Sequence, residues 1–196
     1  LFFFFFVVIE AEMLKAYEAG HGAPVAPYGV SRPEDVTIDG CRLSGSVLLG
    51  SVGGNARSLS SRSQLDTSSA PHIQRARQLA VRGIHLSHLQ IDAPPALHIG
   101  NLVFFQQGVS DSSLSDSILT GESSSTTMYL APEGSGNVIE RNSFNVAHTA
   151  GNEREILAID GSSNNIVRGN SFRHVENGGI YVYRNCGETG GTRHQG

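Results

Sequence analysis

The sequence predicts an all-β solenoid of about five coils, a parallel β-helix in which short strands stack copy upon copy. Three observations carry that prediction. A pattern recurs: an aliphatic residue, four mostly polar residues, a second apolar residue, a turn-rich stretch, then an apolar-x-apolar strand. The spacing is regular, with Ile91, Leu119, Phe144 and Phe172 standing 28, 25 and 28 residues apart, the period of one supersecondary unit repeated along an axis. Finally, Asn, Gly, Ser and Asp gather at the bends, as in 134–137, 161–165 and 177–179, while Val, Ile, Leu and Phe fill the strands.

The elements follow in order. The apolar run 1–9 is too short to span a bilayer and has Glu10 and Glu12 directly behind it. It lacks an initiating Met and a basic leader region, so it reads as an edge strand or a truncation junction and not as a signal peptide. Residues 10–32 hold helix formers from Ala11 to Ala19, closed by Gly20 and broken by Pro24 and Pro27, which makes 1–32 a strand, short helix or cap. From residue 33 to 196 the chain reads as β-helix. Ile38/Leu43 then Val47/Leu49 give the first coil, and Ser51 to Ser69, with almost no apolar content, forms a flexible polar insertion over 51–70. Residues 72–80 form a brief helix or lead into the next strand at Val81. The second coil reads as Leu86/Ile91 then Leu97/Ile99, and the third as Leu114/Leu119 then Met128/Leu130. The fourth reads as Ile139/Phe144 then Leu157/Ile159, and the fifth as Val167/Phe172 then Ile180/Val182.

Strands this short, apolar on one side, bury that side only by stacking on copies of themselves. An antiparallel sandwich would not hold one period across four coils, and the L-x-x-L-x-L ladder of leucine-rich repeats is missing. No polar capping element closes residues 192–196, so the chain is expected to be a fragment lacking its C-terminal coils.

A net charge of −4 excludes a general electrostatic grip on nucleic acid, and no segment predicts membrane insertion. Lys15 is the only lysine, so the cations are arginines, which suit planar recognition of carboxylate or sulfate. Cys41 and Cys186 lie several coils apart at about 4.8 Å per coil, too far for a bridge. Cys41 takes the slot of Ser117, Asn142 and Asn170, which marks it as a small buried or ladder residue. Asn142 and Asn170 themselves read as a stacked amide ladder satisfying backbone groups. His85 and His88 fall on opposite faces of a strand, and His148 and His174 read as loop or bend residues. No cofactor or metal site is expected, because neither a zinc pattern nor a calcium-binding aspartate cluster is present. The oligomeric state is not encoded in any feature of the sequence.

The coils 137–144 and 165–172, Asn-Val-Ile-Glu-Arg-Asn-Ser-Phe and Asn-Ile-Val-Arg-Gly-Asn-Ser-Phe, resemble the N-x-I-x-x-N-x-F coils of right-handed parallel β-helix proteins in the pectate-lyase-like superfamily. The segment 178–188 resembles secreted bacterial members. The resemblance covers roughly residues 33–194 and implies a right-handed helix and a secreted or cell-surface location. It also implies a polysaccharide partner, acted on by a lyase, an epimerase or a glycoside hydrolase. These motifs describe packing and not chemistry.

Stacking should align outward residues into rows. One row is expected to be His98, Tyr129, Ala158 and Tyr181, and a second Gly100, Ala131, Asp160 and Tyr183. Arg154 and Glu155 flank the fourth-coil strand, and Arg184, Glu188, Arg193 and His194 follow the fifth. Such a face offers aromatic rings to sugar C–H groups and charged side chains to hydroxyls or carboxylates. Elimination would use Arg184 or Arg193 on the substrate carboxylate and Tyr183 or His194 on the proton. Hydrolysis would pair Asp160 with Glu155 or Glu188. The expected catalytic set is therefore Asp160, Tyr183, Arg184, Glu188 and His194, with His98, Tyr129, Arg154, Glu155, Tyr181 and Arg193 binding substrate. For each of these the plainer reading is structural: outward tyrosines fill shape, and Asp160 before Gly161 shapes a turn. A non-catalytic carbohydrate-binding or adhesin solenoid uses the same face without a base. An ice-binding solenoid would need a Thr in every coil, which the mixed rows do not supply.

Overall fold

Short inward-facing apolar strands separated by polar bends close into a right-handed parallel β-helix, seen in a computed structural model that describes residues 7–9, 33–50 and 81–183. Three parallel sheets run its length. Sheet A holds Val7–Ile9 (β1), Val47–Leu49 (β4), Val103–Phe105 (β7), Met128–Leu130 (β10), Leu157–Asp160 (β13) and Ile180–Tyr183 (β16). Sheet B holds Glu34–Asp39 (β2), Arg82–Ser87 (β5), Ser113–Ser115 (β8), Val138–Glu140 (β11) and Ile166–Arg168 (β14). Sheet C holds Arg42–Ser44 (β3), Gln90–Ala93 (β6), Ile118–Ser123 (β9), Ser143–His148 (β12) and Ser171–Phe172 (β15).

The register matches the sequence period. Ile38, Leu86, Leu114, Ile139 and Val167 stack in sheet B, and Leu43, Ile91, Leu119, Phe144 and Phe172 in sheet C. Leu86, Leu114, Leu119, Ile139 and Phe144 have no accessible surface, and each stabilises the coil by roughly 1.5–3 kcal/mol through burial. Phe144 and Phe172 stack nearly parallel, 5.0 Å between ring centres. At the edge of sheet A, β1 pairs in parallel with β4, as an N-terminal edge strand should. The helix expected within 10–32, the insertion at 51–70, the lead-in at 72–80 and the chain ends lie outside the described residues.

Polar ladders flank both edges of sheet B. On one side Ser117 Oγ, Asn142 Oδ1 and Asn170 Oδ1 accept the backbone N–H groups of Leu89, Ser117 and Asn142. On the other, Ser112 Oγ, Asn137 Oδ1 and Asn165 Oδ1 accept those of Ile84, Ser112 and Asn137. Each bend would otherwise bury unpaired backbone donors, and one side chain per coil satisfies them. The amide ladder expected of Asn142 and Asn170 is therefore present, with a second beside it.

Three expectations are corrected. The sheet A strand of the second coil is Val103–Phe105, in register with Val47–Leu49 and Met128–Leu130, and not Leu97–Ile99. Pro94 and Pro95 have no N–H to give a ladder, so residues 95–97 turn as a 3₁₀ segment and His98 ends it in a left-handed conformation, φ 48° and ψ 46°. Cys41 occupies the ladder slot but is exposed, at the outermost of the sheet B-to-C bends described. Its Sγ points to the Asp39 carbonyl as Ser117 Oγ points to that of Ser115. His148 is not in a loop; it ends β12 and continues the inward alternation of Phe144 and Val146.

Candidate functional site

Side chains of opposite parity to the core of sheet A line its outer face. From the fourth strand onward one row reads Leu48, Phe104, Tyr129, Ala158 and Tyr181. Beside it, Asp160 pairs with Tyr183, and one residue past β7 and β10 stand Gln106 and Ala131. The shift of the second-coil strand removes His98 and Gly100 from these rows and puts Phe104 and Gln106 in their place. His98 stands exposed in the preceding bend. Phe104 and Tyr129 meet edge to face at 5.4 Å, and Tyr181 and Tyr183 stack at 6.0 Å. Ala158, between the flanking rings of adjacent rungs, is fully buried although its parity is outward. Tyr181 is 47% exposed and is the open aromatic platform of the face.

Two carboxylates anchor the rings. Tyr129 Oη donates to Asp160 Oδ2 at 2.5 Å, across neighbouring strands. Tyr183 Oη donates to Glu155 Oε2 at 2.7 Å, from the next coil to the bend before β13. Glu155 Oε1 also accepts from Thr126 Oγ1 at 3.0 Å and from Arg154 Nη2 at 3.2 Å, so both of its oxygens are occupied, and the residue is only 3% exposed. Arg154 Nε donates to Thr126 Oγ1 at 3.3 Å, and its guanidinium carbon lies 5.6 Å from the Tyr183 ring centre. A buried carboxylate requires this completeness, since an unpaired one costs several kcal/mol.

Burial raises the Tyr129 phenol well above its ordinary range, and the bond to Asp160 raises it further. Burial likewise raises Tyr183, with its bond to Glu155 adding to the effect. Both hydroxyls therefore act as persistent donors. His148 closes the group from the inner side: its Nε2 is buried without a hydrogen-bond partner, and burial lowers its pKa against the opposing pull of Glu155 and Glu176.

Of the residues expected from sequence, Tyr129, Arg154, Glu155, Asp160, Tyr181 and Tyr183 come together, and His98 does not join them. Arg184, Glu188, Arg193 and His194 lie outside the described residues. Sequence reading missed Thr126, Phe104 and His148. The alternation of Phe144, Val146 and His148 was the signal for the last, and the apolar run 103–105 for the second. Asp160 is a strand residue held by Tyr129, and Gly161, φ 56°, shapes the turn beside it.

Among the described residues no three His, Cys, Asp or Glu side chains converge to hold a metal. None of the described helices is long and apolar enough to cross a membrane. Comparison with protein families, curated proteins and solved structures gives no match for this chain.

Proposed function

We propose that the protein acts on an extracellular polysaccharide laid across the outer face of sheet A, as a relative of the pectate-lyase-like β-helix proteins that is secreted or displayed at the cell surface. One observation carries this reading. Three tyrosines, an arginine and two carboxylates from three neighbouring coils converge on one face, with Tyr129 bonded to Asp160, Tyr183 and Arg154 bonded to Glu155, and Tyr181 stacked on Tyr183. Tyr181 supplies an exposed ring for a sugar face. Asp160 is the group suited to proton transfer: Tyr129 fixes its Oδ2, while Oδ1 has no partner among the described residues. Glu155, fully coordinated, positions Tyr183 and Arg154 and does not exchange protons with a substrate. In this reading the second acid or base is Glu188 or His194, both of which lie outside the described residues.

A second reading, a binding solenoid without catalysis, is favoured by a specific observation. Both phenol hydroxyls and the Nε and Nη2 groups of Arg154 are already engaged internally, which suits a rigid docking face. Incubating the chain with a panel of polysaccharides separates the two. New reducing ends, or unsaturated products seen by ultraviolet absorbance, that vanish in Asp160→Asn support the enzyme. Retention on polysaccharide with no product supports binding only, and neither retention nor product refutes both.

A further inference from the structure

We propose that the glycan taken by this face is neutral and hydroxyl-rich, and not a polymer of uronic acids. The inference rests on the reading that the outer face of sheet A contacts glycan, and it narrows that reading to one substrate class.

Among the described residues, the arginine on the face has one edge already used. Recognition of a carboxylate favours a guanidinium that offers two parallel N–H groups along one edge. Arg154 commits Nε to Thr126 and Nη2 to Glu155, and its guanidinium carbon lies over the Tyr183 ring. A uronate seeking that edge would have to displace a carboxylate that is 3% exposed and held by three side chains.

The donors on the face are used as well. The hydroxyls of Tyr129 and Tyr183 both point at protein carboxylates, so neither is available to an anion. What remains open is an acceptor, Asp160 Oδ1, and an aromatic surface, Tyr181. Sugar hydroxyls are donors and match the first, and sugar C–H groups match the second.

The formal charge points the same way. Arg154 stands against Glu155 and Asp160, and the flanking bends add Glu153 and Glu176, both exposed. Among the described residues of the face and these bends, Arg154 and Arg173 stand against the four acids Glu153, Glu155, Asp160 and Glu176, so acids are in excess and a polyanion meets net repulsion over a distance comparable with the screening length of about 8 Å. Elimination, which needs a carboxylate beside the reacting carbon, is then the disfavoured chemistry. Hydrolysis or docking of a neutral chain is the favoured one.

The test uses the full chain in affinity electrophoresis and calorimetry against neutral polymers (arabinoxylan, mixed-linkage β-glucan, galactomannan) and uronate polymers (polygalacturonate, alginate). Retention by at least one neutral polymer is expected, changing by less than about twofold between about 50 and about 500 mM NaCl. Tyr181→Ala should weaken it at least about tenfold while Tyr181→Phe retains it, with circular dichroism verifying the fold. Tighter binding of a uronate polymer, weakened by salt and by Arg184→Ala, would overturn this inference and leave the glycan reading standing. Absence of binding and products with both classes would overturn the glycan reading, and this inference with it. Unchanged retention in folded Tyr181→Ala would show that this face is not where glycan docks.

Discussion

The Tyr129 hydroxyl donates to Asp160 Oδ2 at 2.5 Å, so this carboxylate is held by a phenol one coil away. The two residues are 31 positions apart in sequence and adjacent only because the coils stack in register. Removing the hydroxyl in Tyr129→Phe should cost about 2 kcal/mol, the range for a hydrogen bond to a charged group. Because the folded state raises this phenol, its contribution is complete below the ordinary phenol pKa of about 10 and is lost as pH rises above it. Urea midpoints measured across alkaline pH should fall more steeply for the wild type than for Tyr129→Phe; parallel curves would refute the coupling.

Glu155 gathers Thr126, Arg154 and Tyr183 from three consecutive coils. Glu155→Ala leaves the Tyr183 hydroxyl and part of the Arg154 fork without their acceptor. A loss of about 2 kcal/mol is expected, held below the range for a fully buried pair because Arg154 is half exposed. Near-ultraviolet circular dichroism should change with it, because the protein has no tryptophan and the stacked tyrosines dominate that signal. An unaltered spectrum would show that the carboxylate does not orient the rings.

Asn142 joins three coils: its Oδ1 accepts from Ser117 N–H, and its Nδ2 donates to the Leu114 carbonyl and to Asn170. Asn142→Ala strands a buried backbone donor and acceptor and should cost about 3 kcal/mol. Asn170→Ala, at a half-buried position, should cost about 1 kcal/mol. Chemical denaturation orders the two, and equal costs would refute a burial-graded ladder.

Gly121 and Gly40 both have positive φ, 101° and 68°, but only one is enclosed. A Cβ at Gly121 would stand 2.1 Å from the Ala93 carbonyl oxygen, a backbone atom that cannot yield, whereas a Cβ at Gly40 meets nothing within 4 Å. Gly121→Ala should therefore cost at least about 4 kcal/mol and Gly40→Ala about 1 kcal/mol. Thermal melts distinguish them, and a near-native Gly121→Ala would mean the coil spacing there is wrong.

His88 Nδ1 and Asp39 Oδ1 lie 2.7 Å apart on the exposed bend between sheets B and C. The bond to Asp39 raises His88, and the bonds from Ser87 and then His88 lower Asp39. The contribution of the histidine is complete below its ordinary pKa of about 6.5 and is lost as pH rises through its elevated value. The contribution of the aspartate is present above about 3.9 and is lost as pH falls. Proton resonance titration should place the His88 midpoint above about 6.5 and return it toward that value in Asp39→Asn or in high salt. A midpoint insensitive to both would refute the pair.

The fold class was legible because its signals are local. A strand buried on one side must alternate, a bend must supply Gly, Asn or Ser, and a coil that stacks must repeat at the coil length; all three are written between residues 81 and 183. The second coil shows the limit of such reading. Leu97–Ile99 and Val103–Phe105 both satisfy the apolar-x-apolar pattern, and only pairing with β4 and β10 decides between them.

By itself, the sequence determined a stacked all-β chain, the ladder slots of Asn142 and Asn170, and the outward parity of Tyr129, Asp160, Tyr181 and Tyr183, because each follows from a period the chain carries within itself. Only the tertiary structure decided that Asp160 belongs to Tyr129 and Glu155 to Tyr183, and that His98 stands aside. Those relationships depend on bend lengths and on which hydroxyl reaches which carboxylate once coils about 4.8 Å apart are pressed together, and no local pattern encodes either.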